Sequence, residues 1–362
     1  MSNDPLRFVR PDFDELEAYT PVKPLDVLAR EIGLPVGQLV KLDANENLYG
    51  PVPEIIEAIT KADLHIYPDP GQTALRDAIA GYVGVMPEQV VAGSGADDLI
   101  DILIRLVQPE AVVTAAPTFG MYSFLARIDG ARVVEVPRDA QFRPDVAAIA
   151  EAVGDGASMV FLASPNNPSG NVLSDAEVEK LCALDALIVI DEAYAEFSAT
   201  TAIPLLARFS NLVILRTFSK WAALAGLRVG YSLSHPALAE KMMAIKQPYN
   251  VSVAGDVAAR AAIEHRATIF ETVKCLVAER ERMVQAISSL GWLKPLPSQS
   301  NFVLFHVEGV RCARDVASAL RVRGVLVRYY DRPDLANYIR ISAGRPEDTD
   351  RLVEALRALE AE

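Results

Sequence analysis

Four short polar clusters in this chain each follow a run of apolar residues, and each carries side chains suited to chemistry. The apolar run 212–215 leads into Thr217-Phe-Ser-Lys220, with Arg228 eight residues beyond the lysine. A lysine just behind a buried strand is partly desolvated. Burial and neighbouring positive charge both favour the neutral, nucleophilic amine that forms a Schiff base. Taken alone, Lys220 fits a surface position much better, since lysine is mostly exposed. Residues 187–190 run straight into Asp191-Glu-Ala-Tyr194. An acid there needs a cationic partner to stay ionised, and a protonated pyridine nitrogen is one; an N-cap for the next segment is the plainer role. Gly93-Ser-Gly-Ala-Asp97 opens a helical stretch. Small residues and free N–H groups at such a start form an anion site. The run matches neither the P-loop nor the dinucleotide fingerprint. Residues 159–163 lead to Ser164-Pro-Asn-Asn-Pro-Ser-Gly170, a rigid Pro-bracketed turn able to aim an Asn amide.

The elements that must position these clusters follow from periodicity. Residues 111–115, 132–136, 159–163, 187–190 and 212–215 are short, apolar and rich in β-branched side chains, the pattern of strands buried on both faces. Helical spacing precedes them, at 73–82 and 96–107, and recurs between them, notably at 174–184, where Ser174 and Glu177 make a capping box. Strands alternating with helices predict an α/β fold with a mostly parallel central sheet. Ligands in such sheets bind beyond the C-terminal ends of the strands, which is where all four clusters lie. Beyond residue 250 the rhythm changes. A helical stretch at 254–290, broken near His265, precedes strands at 302–305, 325–328 and 338–342 and helices at 313–322 and 347–359, which predicts a smaller α+β domain. The first 40 residues, with Pro11, Pro21, Pro24 and Pro35, read as an irregular arm with one helix, 24–32, ended by Gly33. The expected division is an arm at 1–40, a large domain at 41–250 and a small domain at 251–362.

Composition narrows the function classes. The 362 residues carry a formal net charge of −13, which disfavours nucleic acid and anionic membrane as partners. Cations for a phosphorylated ligand would have to be concentrated locally. No apolar run approaches the ~20 residues of a membrane span, and residues 1–10 lack the apolar core of a secretory signal; the reading is a soluble cytoplasmic protein. Three widely spaced cysteines, Cys182, Cys275 and Cys312, and four scattered histidines argue against a disulfide framework or a metal site.

The joint order of the clusters at successive strand ends resembles the fold-type I aminotransferases, over nearly the whole chain. The stretch Thr217-Phe-Ser-Lys220 through Leu224-Ala-Gly-Leu-Arg228 is the most specific part of the match. The resemblance implies a homodimer that binds pyridoxal 5'-phosphate, with Lys220 as the Schiff-base lysine. It implies Asp191 on the pyridinium N–H, and Tyr194 and Asn167 on the phenolic oxygen. Thr217, Ser219, Arg228 and the amides around Gly95, Ala96 and Asp97 would take the phosphate. Phe119 would stack on the ring, and Tyr67 would reach the phosphate of the neighbouring subunit's site.

A closer resemblance is to the histidinol-phosphate aminotransferases of histidine biosynthesis. It rests on Leu42-Asp-Ala-Asn-Glu-Asn47 before Tyr49-Gly-Pro51, on Gln299-Ser-Asn-Phe-Val-Leu304, and on Val327-Arg-Tyr-Tyr-Asp331 leading to Tyr338-Ile-Arg-Ile-Ser342. It implies amino transfer between L-histidinol phosphate and 2-oxoglutarate, giving imidazole acetol phosphate and L-glutamate. Arg340 and Arg328 would meet the substrate phosphate, and the same pair suits a carboxylate of glutamate. A surface ion pair with Asp331 or Asp334 is the alternative role for Arg328. Tyr19, Asn47 and Tyr249 are candidates for the imidazole end. Two positions depart from the family pattern: Leu48 stands where Pro is common, and Phe119 where Tyr is frequent. Aromatic amino-acid aminotransferases and the threonine-phosphate decarboxylases, which lose CO2 instead, are similar enough to remain alternatives.

Overall fold

The computed structural model describes residues 4–16, 23–309 and 311–360. Its larger sheet has seven strands: β2 (Val90–Gly93), β3 (Ala111–Ala116), β4 (Arg132–Pro137), β5 (Met159–Ala163), β6 (Leu187–Asp191), β7 (Leu212–Thr217) and β8 (Gly230–Leu233). Their spatial order is β2-β8-β7-β6-β5-β3-β4, and β8 alone runs against its neighbours. The apolar runs become strands because alternate side chains enter two separate cores. Ile188, Ile190 and Ile214 enter one; Val189, Val213 and Leu215 enter the other. Helix Ala96–Val107 buries Leu99, Ile102 and Leu103 on the second face. Helix Asp175–Cys182 closes the first, and its N-terminus carries the expected capping box of Ser174 and Glu177.

A second sheet of five strands contains β1 (Val40–Leu42), β9 (Leu293–Pro295), β10 (Phe302–Val307), β11 (Val325–Tyr329) and β12 (Tyr338–Ser342), in the order β1-β11-β12-β10-β9. Val303, Phe305, Ile339 and Ile341 form its core with helices Arg266–Ser288, Ala313–Val322 and Pro346–Glu360. The helical stretch after residue 250 breaks at His265 as expected.

The expected domain limits are displaced at both ends. β1 pairs in parallel with β11, so the chain just after residue 40 belongs to the smaller sheet. Helix Val253–Glu264 packs Ala258, Ala259 and Ala262 against the large-sheet core. The cause is that β1 is only three residues long, and the alanine face of the helix lacks a strong apolar stripe. Strands β2, β8 and β9 were also not legible. β8 reads Gly-Tyr-Ser-Leu, and its Ser232 is fully buried.

Immediately behind the ends of β6 and β7, the buried Arg216 guanidinium bridges Glu192 (2.7 Å) and Glu196 (3.3 Å). Breaking such a buried pair leaves uncompensated charge, at a cost of roughly 3–5 kcal/mol. Arg216→Met should therefore lower the denaturation midpoint by a matching amount. An unchanged midpoint would show that these charges are solvated.

Candidate active site

The C-terminal ends of β5, β6 and β7 open into a cavity of about 390 Å³ between the two sheets. Asp191, the last residue of β6, forms its floor. One carboxylate oxygen accepts from the Tyr122 hydroxyl (2.6 Å) and the other from the Ala193 N–H (2.9 Å). Burial pushes the acid up to about 6; the two donors favour its ionised form, and Asp97 and Glu192 oppose it. It is a buried acid suited to a cationic partner.

Lys220 follows β7, and its Nζ donates to the Ala44 carbonyl at 3.2 Å. Burial and then the positive charge of Arg340 bring this amine down to about 8; Glu46 opposes them, and Arg228 and Lys41 add smaller effects in the same direction as Arg340. Tyr194 stands close by, with Lys220 Nζ 5.8 Å from its ring centroid. Its hydroxyl accepts from Asn45 Nδ2 at 2.9 Å, and burial raises it to about 12.

An anion cup lies at the start of helix Ala96–Val107. Gly95 has φ 82°, a conformation that favours glycine, and a Cβ there would sit 2.5 Å from Arg228 Nη2 and displace the guanidinium. Arg228 Nη2 donates to Asp97 at 3.1 Å. The Thr217 hydroxyl donates to Ser219 Oγ at 2.9 Å and accepts from the Ser219 N–H. Helix N-terminal amides, two hydroxyls and a guanidinium converge on one spot.

The opposite wall comes from the smaller sheet. Arg328 on β11 and Arg340 on β12 are cross-strand partners, and both line the cavity. Arg340 is buried; its Nη1 donates to Asn167 Oδ1 at 2.6 Å, its Nη2 donates to the Asp43 carbonyl, and its Nε has no partner among the described residues. Asp331 pairs with Arg314 and Asp334 with Arg332, so neither acid takes Arg328. Phe119 lines the same cavity, edge-on to Tyr122.

Lys220, Asp191, Tyr194, Asn167, Thr217, Ser219, Arg228, Phe119, Ala96, Asp97, Arg328 and Arg340 thus meet in one space. Gly95 is not itself part of the lining but caps the helix directly before Ala96, and three further candidates lie away from the cavity. Asn47 is buried away from the cavity: its Nδ2 donates to the Trp221 carbonyl (3.1 Å) and Thr272 Oγ1 (3.3 Å), and its Oδ1 caps Tyr49 N–H. It anchors the turn, and its neighbours Asn45 and Glu46 face the cavity instead. Tyr67 and Tyr249 stack on each other with centroids 4.5 Å apart on the surface, 78% and 47% exposed, away from this chain's own cavity. Tyr19 lies outside the described residues.

Sequence reasoning missed Tyr122, Asn45, Tyr330 and Arg332, all of which line the cavity. Tyr122 had a usable signal: it lies in the first turn of a helix directly after β3. Arg332, which reaches Glu135 of the large sheet at 3.7 Å, had none.

Residues 37–356 match the model of the aminotransferase class I and II family. The chain belongs to that family. It is 48% identical to the histidinol-phosphate aminotransferase of Roseiflexus castenholzii, over 96% of this chain and 97% of the relative. It is 43% identical to the chloroplastic histidinol-phosphate aminotransferase 1 of Arabidopsis thaliana, over 97% and 85%. Its fold is similar to the crystal structure of histidinol-phosphate aminotransferase from Sinorhizobium meliloti in complex with pyridoxal-5'-phosphate. There the TM-score is 0.86 and the identity 31%, over 96% of this chain and 97% of the other. No helix among the described residues is long and apolar enough to cross a membrane. The α/β architecture with a mostly parallel sheet is that of the fold-type I enzymes of this family.

An amine brought down to about 8 becomes half neutral there rather than near its usual value. The cofactor-free protein should therefore react with an amine-directed aldehyde at a rate that rises with pH and is half-maximal near pH 8. Lys220→Ala should lose that phase. A midpoint above pH 10 would contradict the environment described for Lys220.

Proposed function

We propose that this chain is a histidinol-phosphate aminotransferase that uses pyridoxal 5'-phosphate to move an amino group between L-histidinol phosphate and 2-oxoglutarate. The observation that carries the reading is the juxtaposition of a lysine whose amine is brought down to about 8 and a buried acid with two arginines in cross-strand register. The 48% identity to the Roseiflexus castenholzii enzyme supports the same assignment.

The residues fit the cofactor. Asp191 would offer a buried acid to a protonated ring nitrogen, and the Asn167 amide and Tyr194 hydroxyl, which line the same cavity, would meet the phenolic oxygen. The cup of Ala96, Asp97, Thr217, Ser219 and Arg228, with Gly95 just before Ala96, would hold the phosphate, and Phe119 would flank the ring. Lys220 Nζ is the point of attachment. When bound, the cofactor supplies a cationic ring that delocalises the electron pair left as the substrate Cα loses its proton. Asp191 keeps that ring cationic. Lys220, once released, removes the proton at the substrate Cα as a neutral amine. Arg328 and Arg340 fix the anionic end, so that the Cα–H bond is presented to Lys220 in both half-reactions. A dianionic phosphate engages both guanidinium groups, and a carboxylate of glutamate engages the same wall.

The active form in this reading is a homodimer. The exposed Leu64, Ile66 and Tyr67, with Tyr249, make an apolar surface suited to burial by a second copy, whose site Tyr67 would enter.

In a single turnover, L-histidinol phosphate should convert the holoenzyme's lysine-bound cofactor absorbance to that of its amine form, and imidazole acetol phosphate should reverse it. Arg340→Ala should slow this half-reaction and the glutamate half-reaction alike, by roughly 10²-fold, the effect of leaving a substrate anion without its buried partner. Conversion by tyrosine or phenylalanine but not by histidinol phosphate would overturn the substrate assignment.

A further inference from the structure

The phosphate wall has a built-in conflict. Arg328 and Arg340 face each other directly across β11 and β12, and like charges in that position repel. The aromatic ring of Tyr330 lies beside both of them. The Arg328 guanidinium carbon is 5.4 Å from its centroid and that of Arg340 is 5.8 Å away. Both distances are within the range at which the ring quadrupole attracts a cation. The Tyr330 hydroxyl donates to Asn167 Oδ1 at 3.4 Å, the oxygen that also accepts from Arg340 Nη1 at 2.6 Å. Tyr330 itself lines the cavity. Arg340 also lies 5.2 Å from the Phe302 ring centroid, but Tyr330 is the ring that meets both guanidinium groups, and it ties them to the turn after β5.

We propose that Tyr330 is the positioning residue that makes this wall selective for a phosphomonoester dianion. The proposal rests on the histidinol-phosphate reading above. A dianion needs both guanidinium groups at once, whereas a carboxylate is satisfied by one fork. The ring's negative face offsets part of the repulsion and fixes the spacing of the pair before substrate enters. The hydroxyl contributes little, because its one contact is long. The ring therefore matters more than the oxygen, and it matters more for the phosphate substrate than for glutamate.

The test compares Tyr330→Phe, which keeps the ring, with Tyr330→Leu and Tyr330→Met, which keep apolar volume without it. Each is prepared as holoenzyme, with its cofactor absorbance confirming the loaded fold, and whichever apolar variant loads is used. L-histidinol phosphate and inorganic phosphate are titrated calorimetrically, and KM and kcat are measured for histidinol phosphate and for glutamate. Loss of the ring should raise Kd and KM for histidinol phosphate roughly tenfold, about 1.4 kcal/mol. Binding of inorganic phosphate should weaken in parallel. The kcat and the glutamate KM should stay within about threefold, and Tyr330→Phe should behave as the parent. An apolar variant with parental affinity for histidinol phosphate would overturn the proposal. So would a Tyr330→Phe variant as impaired as Tyr330→Leu, or an equal loss for glutamate. A parent holoenzyme that fails to bind histidinol phosphate at all would overturn the function reading, and this inference with it.

Discussion

The register of three parallel strands governs the rest of the molecule. β5, β6 and β7 align so that Ala163 lies beside Asp191, and Asp191 beside Leu215. Each strand then ends at the same edge and releases its polar turn there: Ser164 to Gly170, Asp191 to Tyr194, and Thr217 to Lys220. All three strands are buried on both faces, so a slip of one residue would exchange the contents of the two cores. It would also turn Asp191 away from Tyr122 and towards the side that now holds Glu192, Arg216 and Glu196. The apolar alternation along Ile188, Val189 and Ile190 is thus what places a single acid at the cavity floor.

The second sheet depends on that edge through one short segment. Residues 43–47 leave β1 and cross in front of the strand ends. Arg340 and Lys220 both donate to carbonyls there, at Asp43 and Ala44. Asn45 donates its amide to Tyr194 and its backbone N–H to Ser342 Oγ, its Oδ1 accepts from the Ser342 hydroxyl, and Asn47 pins the turn to Trp221. The segment is therefore a common support for the lysine, the tyrosine and the arginine wall. It also resolves the electrostatic problem posed by a chain of net charge −13. Arg228, Arg328, Arg332 and Arg340 all line one cavity. They share that lining with Lys220 and with the acids Asp43, Glu46, Asp97 and Asp191, so the positive charge is a local excess, concentrated at the wall of Arg328, Arg332 and Arg340.

Much of this was legible because it depends on local pattern. The buried strands betray themselves by β-branched runs, helix Ala96–Val107 by its apolar face, and the Ser174 cap by its partner Glu177. Lys220, Asp191 and Asn167 stand out as candidates because they lie at or just past strand ends, and their roles come from the family resemblance. The remainder depends on contacts between residues distant in sequence. Nothing near Asn47 says that its amide will meet Trp221 and Thr272, and not the cavity. Nothing near Tyr330 distinguishes it from Tyr329, which packs against the small-domain core. β1 carries too few residues for its period to be read, and its partner β11 lies nearly 300 positions away. Tyr67 and Tyr249 illustrate the same limit at the surface: their stacking is visible in one chain, whereas the role implied for Tyr67 requires two.

The account stands or falls on the lysine at the end of β7. Reducing the pyridoxal-phosphate-loaded protein with borohydride and mapping the modified peptide by mass spectrometry tests it directly. The account predicts one phosphopyridoxyl group per chain, on Lys220 and nowhere else. Modification at another lysine, or a protein that takes up no cofactor at all, would contradict it.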